Sequence, residues 1–163
     1  MRKIDIKLIE DVEKRIDALS DKELERAVSA LEKKQPYLYA FAEATQEIFE
    51  DEEEFVEDAV YLLFLIDEVF KASENTTGVI PPELIEKADA AHIEFIGEIS
   101  GRDDFEDVLL DTFGKHQAAD FLFYIFDNLF DEQTDYDDHG IETATQLMLF
   151  AYFIIDVYSK EVK

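Results

Sequence analysis

Cysteine and tryptophan are absent from these 163 residues, and glycine (5) and proline (3) are scarce. Without cysteine there is no disulfide framework, thiol nucleophile or cysteine-ligated zinc site. So little turn chemistry argues against an all-β fold built from many hairpins. Positive charge is scarce too: 15 Lys+Arg stand against 41 Asp+Glu, a formal net charge of −26. Long apolar runs are missing as well. The longest, Ala59–Ile66 and Leu147–Ile155, hold eight and nine residues, where a membrane-spanning helix needs about 20. The basic start, Arg2-Lys3, is followed by no apolar stretch of the kind a secretory leader carries. A soluble, cytoplasmic protein without a membrane segment is expected.

What is present is apolar bulk and acid. Hydrophobic residues make up 47% of the chain, with 14 Phe and 7 Tyr, too many for a disordered acidic polymer. The length suits one domain. A folded chain of this size exposes roughly 8,300 Å², or about one net negative charge per 320 Å². Such a surface repels nucleic acids and anionic lipid, which are bound through Lys and Arg. Basic proteins and cations are attracted instead. The charge is also uneven. Residues 1–35 carry nine basic and nine acidic side chains, whereas 36–163 carry six basic and 32 acidic ones.

The apolar spacing is helical throughout. Ile9, Val12, Ile16 and Leu19 form one stripe over about 4–19. Ser20-Asp21-Lys22-Glu23 is a capping box, with Leu19 and Leu24 placed as a hydrophobic staple. Pro36 suits the first turn of a third helix, about 36–50. A fourth, about 53–72, is apolar nearly all round and is expected at the centre of the fold. The polar stretch 73–80 reads as a hinge or a plain loop. Pro81-Pro82 opens a fifth helix ending near Ser100-Gly101, and Asp103 with Glu106 can cap a short sixth that ends near Gly114. The seventh and eighth fall at about 115–131 and 141–160, the last again apolar on most faces. The expectation is an all-α single domain, a bundle or irregular stacked array of about eight helices. In it a near-neutral helical hairpin, 1–35, packs on a strongly acidic body, 36–163.

A faint internal similarity relates Tyr61–Phe70 to Phe121–Phe130 and, more loosely, to Phe150–Tyr158, aligning Asp67, Asp127 and Asp156, and chance resemblance among aromatic amphipathic helices is the simpler reading of it. The unequal offsets exclude a regular solenoid.

Three constellations bear on function. Asp89-Ala-Ala-His92 has the spacing of half a carboxylate-bridged di-iron site, and Asp67 is expected inward or at the rim of its own helix. The second half is missing, because Phe113 and Tyr136 stand three residues before His116 and His139. A buried histidine held by a carboxylate is the simpler reading. Next, Asp135, Asp137 and Gly140 match the first half of a calcium loop, but Gln146 replaces its bidentate glutamate. A solvated connection with Asp138 capping the next helix is the simpler reading.

Finally, nine acids fall within residues 43–58. Glu43, Glu47, Glu50, Asp51, Glu52, Glu53, Glu54 and Glu57 form the candidate partner-binding face. Further groups follow at Asp103, Asp104, Glu106, Asp107 and Asp111, and at 131–142. Solubility needs a net charge of only about 2–8, and self-repulsion opposes compaction unless a partner relieves it. No nucleophile elbow, phosphate loop or triad is present. The function expected is therefore non-catalytic: a protein–protein interaction or scaffold module for a basic partner, with nucleic-acid mimicry as one form and no cofactor. Self-association as a homodimer or larger homo-oligomer is expected through 1–35. The alternative is a carboxylate/histidine metal-binding helical bundle.

Overall fold

The computed structural model describes residues 1–46, 59–130 and 138–162, and the sequence's punctuation reappears in it as helix ends. α1 (Ile6–Asp17) begins where Asp5 Oδ1 accepts the Leu8 N–H at 2.9 Å. α2 (Asp21–Lys34) carries the complete capping box. Ser20 Oγ accepts the Glu23 N–H at 3.2 Å, while Glu23 Oε1 accepts the Ser20 N–H at 3.1 Å. Two otherwise orphaned amides are satisfied in this way. α3 (Pro36–Gln46) starts on its proline, and α4 (Ala59–Ala72), α5 (Pro82–Ile99), α6 (Phe105–Gly114), α7 (Ala119–Leu129) and α8 (Asp138–Glu161) follow. The described residues contain no strand, and the fold is an all-α helical array.

Three helix starts differ from the sequence reading. α8 begins at Asp138, three residues early, so that Asp138 is helical rather than a cap ahead of the helix. α6 begins after Asp104 rather than at a cap made by Asp103. The Asp104 carboxylate does not cap it either, because both its oxygens take the Arg102 guanidinium at 2.8 Å. α7 begins at Ala119, four residues later than the spacing suggests. The Ala118 N–H is taken by His116 Nδ1 at 3.0 Å, which closes a separate turn ahead of the helix.

α4 and α8 are the central pair. On α4, Leu62, Leu63, Phe64, Leu65, Ile66, Val69 and Phe70 are all buried, so its burial runs around the whole circumference. α1, α2 and α3 lie on α4, whereas α5 and α7 lie on α8. α6 packs on α7, α1 also reaches α7, and α3 also reaches α5. α1 buries the stripe Ile9, Val12 and Ile16, each worth about 1.5–3 kcal/mol relative to exposure. α2 buries only Leu31 fully. The two N-terminal helices are thus anchored separately, each to the body.

α8 is the one described helix with the length and apolar content to cross a membrane, and 61% of that stretch is buried inside the fold. Its apolar side chains face α4, α5 and α7, and a half-buried acid interrupts it at Asp156.

The polar stretch after α4 is tied down at both ends. α4 closes in a Schellman motif, with the Asn75 N–H on Phe70 O at 2.9 Å and the Glu74 N–H on Lys71 O at 3.1 Å. This motif puts Glu74 at φ +60, a conformation usually left to glycine. Asn75, 2% exposed, accepts the Arg2 N–H at 2.6 Å and donates to Arg2 O at 3.0 Å. Gln35, fully buried, donates to Gly78 O at 2.8 Å and accepts the Ile80 N–H at 3.0 Å.

Candidate functional site

Two carboxylates on the central helices, Asp67 buried and Asp156 half-buried, each gather donors from distant parts of the chain. On α8, Asp156 Oδ1 faces His116 Nε2 at 3.1 Å, and Oδ2 faces Lys160 Nζ at 2.9 Å and His92 Nε2 at 3.7 Å. His116 comes from the turn before α7, His92 from α5, and Lys160 from one turn further along α8. Because His116 Nδ1 already accepts the Ala118 N–H, its proton sits on Nε2, which donates to Asp156. The Tyr152 ring packs against both imidazoles, its centroid 4.8 Å from His92 and 6.1 Å from His116.

Burial alone would raise the Asp156 carboxyl. The hydrogen bonds from His116 and His92 and the charge of Lys160 overcome this and hold it well below the usual carboxylate range. Burial, seconded by the Asp156 charge, pushes the Tyr152 hydroxyl up. With both ring nitrogens of His116 engaged, that ring has no lone pair for proton abstraction. The arrangement locks helices together.

This cluster differs from the pairing suggested by the sequence. His92 turns to Asp156 on α8 rather than to Asp89, which is half-buried three residues away on its own helix. The two imidazoles address separate oxygens of one carboxylate, His116 at hydrogen-bond distance and His92 further off at 3.7 Å. A metal centre would instead need ligands about 2.0–2.3 Å from a shared point. Among the described residues no group of three His, Asp or Glu is placed to hold a metal ion. Of the calcium-like stretch, Asp135 and Asp137 lie outside the described residues, and Asp138, His139 and Gly140 form the first turn of α8.

The second carboxylate is Asp67 on α4, 4% exposed. Its Oδ1 accepts from Tyr158 Oη of α8 at 2.8 Å and from Lys34 Nζ of α2 at 3.0 Å. Burial and the neighbouring Asp67 charge push the Tyr158 hydroxyl well above its ordinary value. A cavity of about 100 Å³ adjoins this cluster, lined by Lys34, Lys71, Asn75, Thr76 and Thr77. Of the three aspartates aligned by the internal similarity, Asp67 is buried, Asp156 half-buried and Asp127 exposed.

The acidic surface is the remaining candidate. Glu43 is exposed on α3, while Glu47, Glu50, Asp51, Glu52, Glu53, Glu54 and Glu57 lie outside the described residues. Within the described body the cations are largely engaged locally. Arg102 pairs with Asp104 and Lys115 with Asp111, both at 2.8 Å, and Lys160 pairs with Asp156. Glu83, Glu86, Glu94 and Glu98 of α5, with Asp103, Glu106 and Asp107 at α6, are exposed and make no ion pair among the described residues. Sequence grouping had placed Asp103, Asp104, Glu106, Asp107 and Asp111 together. Asp104 and Asp111 are neutralised by neighbours, and the open charge extends along α5 instead.

No protein family, curated protein or solved structure matches the chain.

Proposed function

We propose that this protein is a soluble, cytoplasmic interaction module that binds a basic protein partner through the acidic face of α5 and α6. One observation carries the reading. Among the described residues, seven exposed carboxylates at these elements have no cation paired to them, while Arg102, Lys115 and Lys160 are drawn off by other acids. Exposed charge of one sign raises the local concentration of opposite charge and steers its approach. A binding role also accords with the buried clusters, in which imidazole, hydroxyl and ammonium groups converge on carboxylates rather than on an open catalytic cleft.

Titration of the full chain with a fluorescent decalysine peptide tests the proposal. Affinity is expected to fall steadily as sodium chloride rises, and to drop when Glu83, Glu94 and Glu98 are changed together to Gln. An equal number of acids neutralised on α1 and α2 (Glu10, Asp11 and Glu25) serves as the control. Equal losses from the two triple variants, or binding indifferent to salt, would contradict the assignment to α5 and α6.

A further inference from the structure

α5 carries a partly exposed stripe that no other described residues cover. Glu86, Asp89, Ile93 and Ile96 recur at three- and four-residue spacing, with exposed Ala90 and Gly97 beside them. Ile93 is 64% exposed, more than any other large apolar side chain among the described residues. Facing this stripe, α3 contributes Phe41 and, four residues earlier on the same row, Tyr37, which is 47% exposed. α8 forms the floor with Leu149 and Phe153, and the space enclosed is about 160 Å³. The walls are well ordered by packing. Phe41 stacks on Phe153 with centroids 4.8 Å apart, and the His92 ring meets Phe153 edge-on at 5.2 Å. His92 is itself held from behind by Asp156.

Acid surrounds this apolar groove. Asp89 lines it, Glu86 and Glu94 flank it on α5, and Glu43 stands on α3. None of the four is in an ion pair among the described residues, and α5 supplies Lys87 as its single cation. An apolar trough rimmed by unpaired carboxylates is complementary to a helix with one apolar face and cationic flanks. The wall from Tyr37 to Thr45 spans about 12 Å of helix axis, or roughly two turns, which matches apolar anchors at i, i+4 and i+7 of a partner. A second copy fits poorly, because a symmetric contact would set these same carboxylates against each other.

We infer that the groove between α3 and α5, floored by α8, docks a basic amphipathic helix. Its apolar residues enter beside Ile93, and its Lys or Arg side chains meet Glu43, Glu86, Asp89 and Glu94. The inference rests on the charge reading above and adds to it a place and a shape for the partner.

Three labelled peptides decide the matter by fluorescence anisotropy against the full chain. One is a Leu/Lys helix with a single apolar face, one is the same composition scrambled, and one is patterned but carries Glu in place of Lys. The patterned basic peptide is expected to bind at least about tenfold more tightly than the scrambled one. Ile93→Ser should remove that advantage without changing the melting temperature or the binding of the scrambled peptide. If patterned and scrambled peptides bind alike, or Ile93→Ser has no effect, the groove assignment falls while the charge reading stands. If neither basic peptide binds, both fall. Equal binding of the Glu peptide removes the role of the rim. A dimer in sedimentation that Ile93→Ser makes monomeric overturns the inference in favour of self-association.

Discussion

Tyr158 of α8 donates its hydroxyl to Asp67 Oδ1 of α4 at 2.8 Å, joining the two central helices through a carboxylate that is 4% exposed. Lys34 reaches the same oxygen from α2 at 3.0 Å. A charge buried this deeply costs several kcal/mol unless donors surround it, and Tyr158 is the only one of these two donors that is itself buried.

Tyr158→Phe is therefore expected to destabilise the protein by about 1.5–3 kcal/mol, the range for a hydrogen bond to a charged group. That corresponds to a melting temperature lower by roughly 3–12 °C for a domain of this size. The ring's packing on Phe70, at a centroid distance of 5.2 Å, stays in place, so the loss reports the hydroxyl. Calorimetry of the two proteins checks it, and an unchanged melting temperature would show that Asp67 does not depend on this donor.

Asp156 gives the fold a defined response to acid. Its carboxyl lies below the unfolded value of about 3.9, because donors from His116, His92 and Lys160 outweigh its burial. On acidification the unfolded chain takes up this proton first. The stabilisation is complete above about pH 5 and is lost progressively below about pH 4. Asp156→Asn replaces one acceptor oxygen by a donor facing His116 or Lys160, at an expected cost near neutrality of about 2–3 kcal/mol. Chemical denaturation of both proteins should show this difference shrinking as the pH falls from about 6 to about 3. A constant difference would mean that the carboxylate's charge contributes nothing.

Glu74 sits at φ +60 where the end of α4 calls for a left-handed residue. It also pairs with Arg2 at the surface, with both side chains more than half exposed, and such pairs contribute little. Glu74→Gly is expected to raise stability by about 0.5–1 kcal/mol, since glycine adopts this conformation without the Cβ penalty. Denaturant midpoints measure it. A loss of stability would show that the Arg2 pair outweighs the backbone strain.

Local features of the sequence were readable because their causes are local. The Ser20–Glu23 capping box, Pro36 and Pro82 at helix starts, and the all-round burial of α4 each follow from neighbours within a turn or two. The inward position of Asp67 and His92 was legible from the apolar residues at helical spacing around them. Their partners were not. His116 looked unpromising because no acid stands three residues before it, yet its carboxylate arrives from position 156, forty residues later. Spacing rules see only one helix, and Asp156, Tyr158 and Lys34 act between helices. The uncovered face of α5 was hidden for a related reason, since periodicity shows which residues are apolar but not which neighbour is missing.

The binding proposal depends on carboxylates left without local cations, and the melting temperature as a function of sodium chloride tests that condition most directly. Raising the salt shortens the screening length from about 10 Å at 0.1 M to about 3 Å at 1 M, which weakens repulsion among exposed acids. Chloride is the right counterion, because sulfate stabilises compact states by exclusion from their surfaces. A melting temperature that climbs with salt is the predicted result, and one that stays level or falls would contradict it.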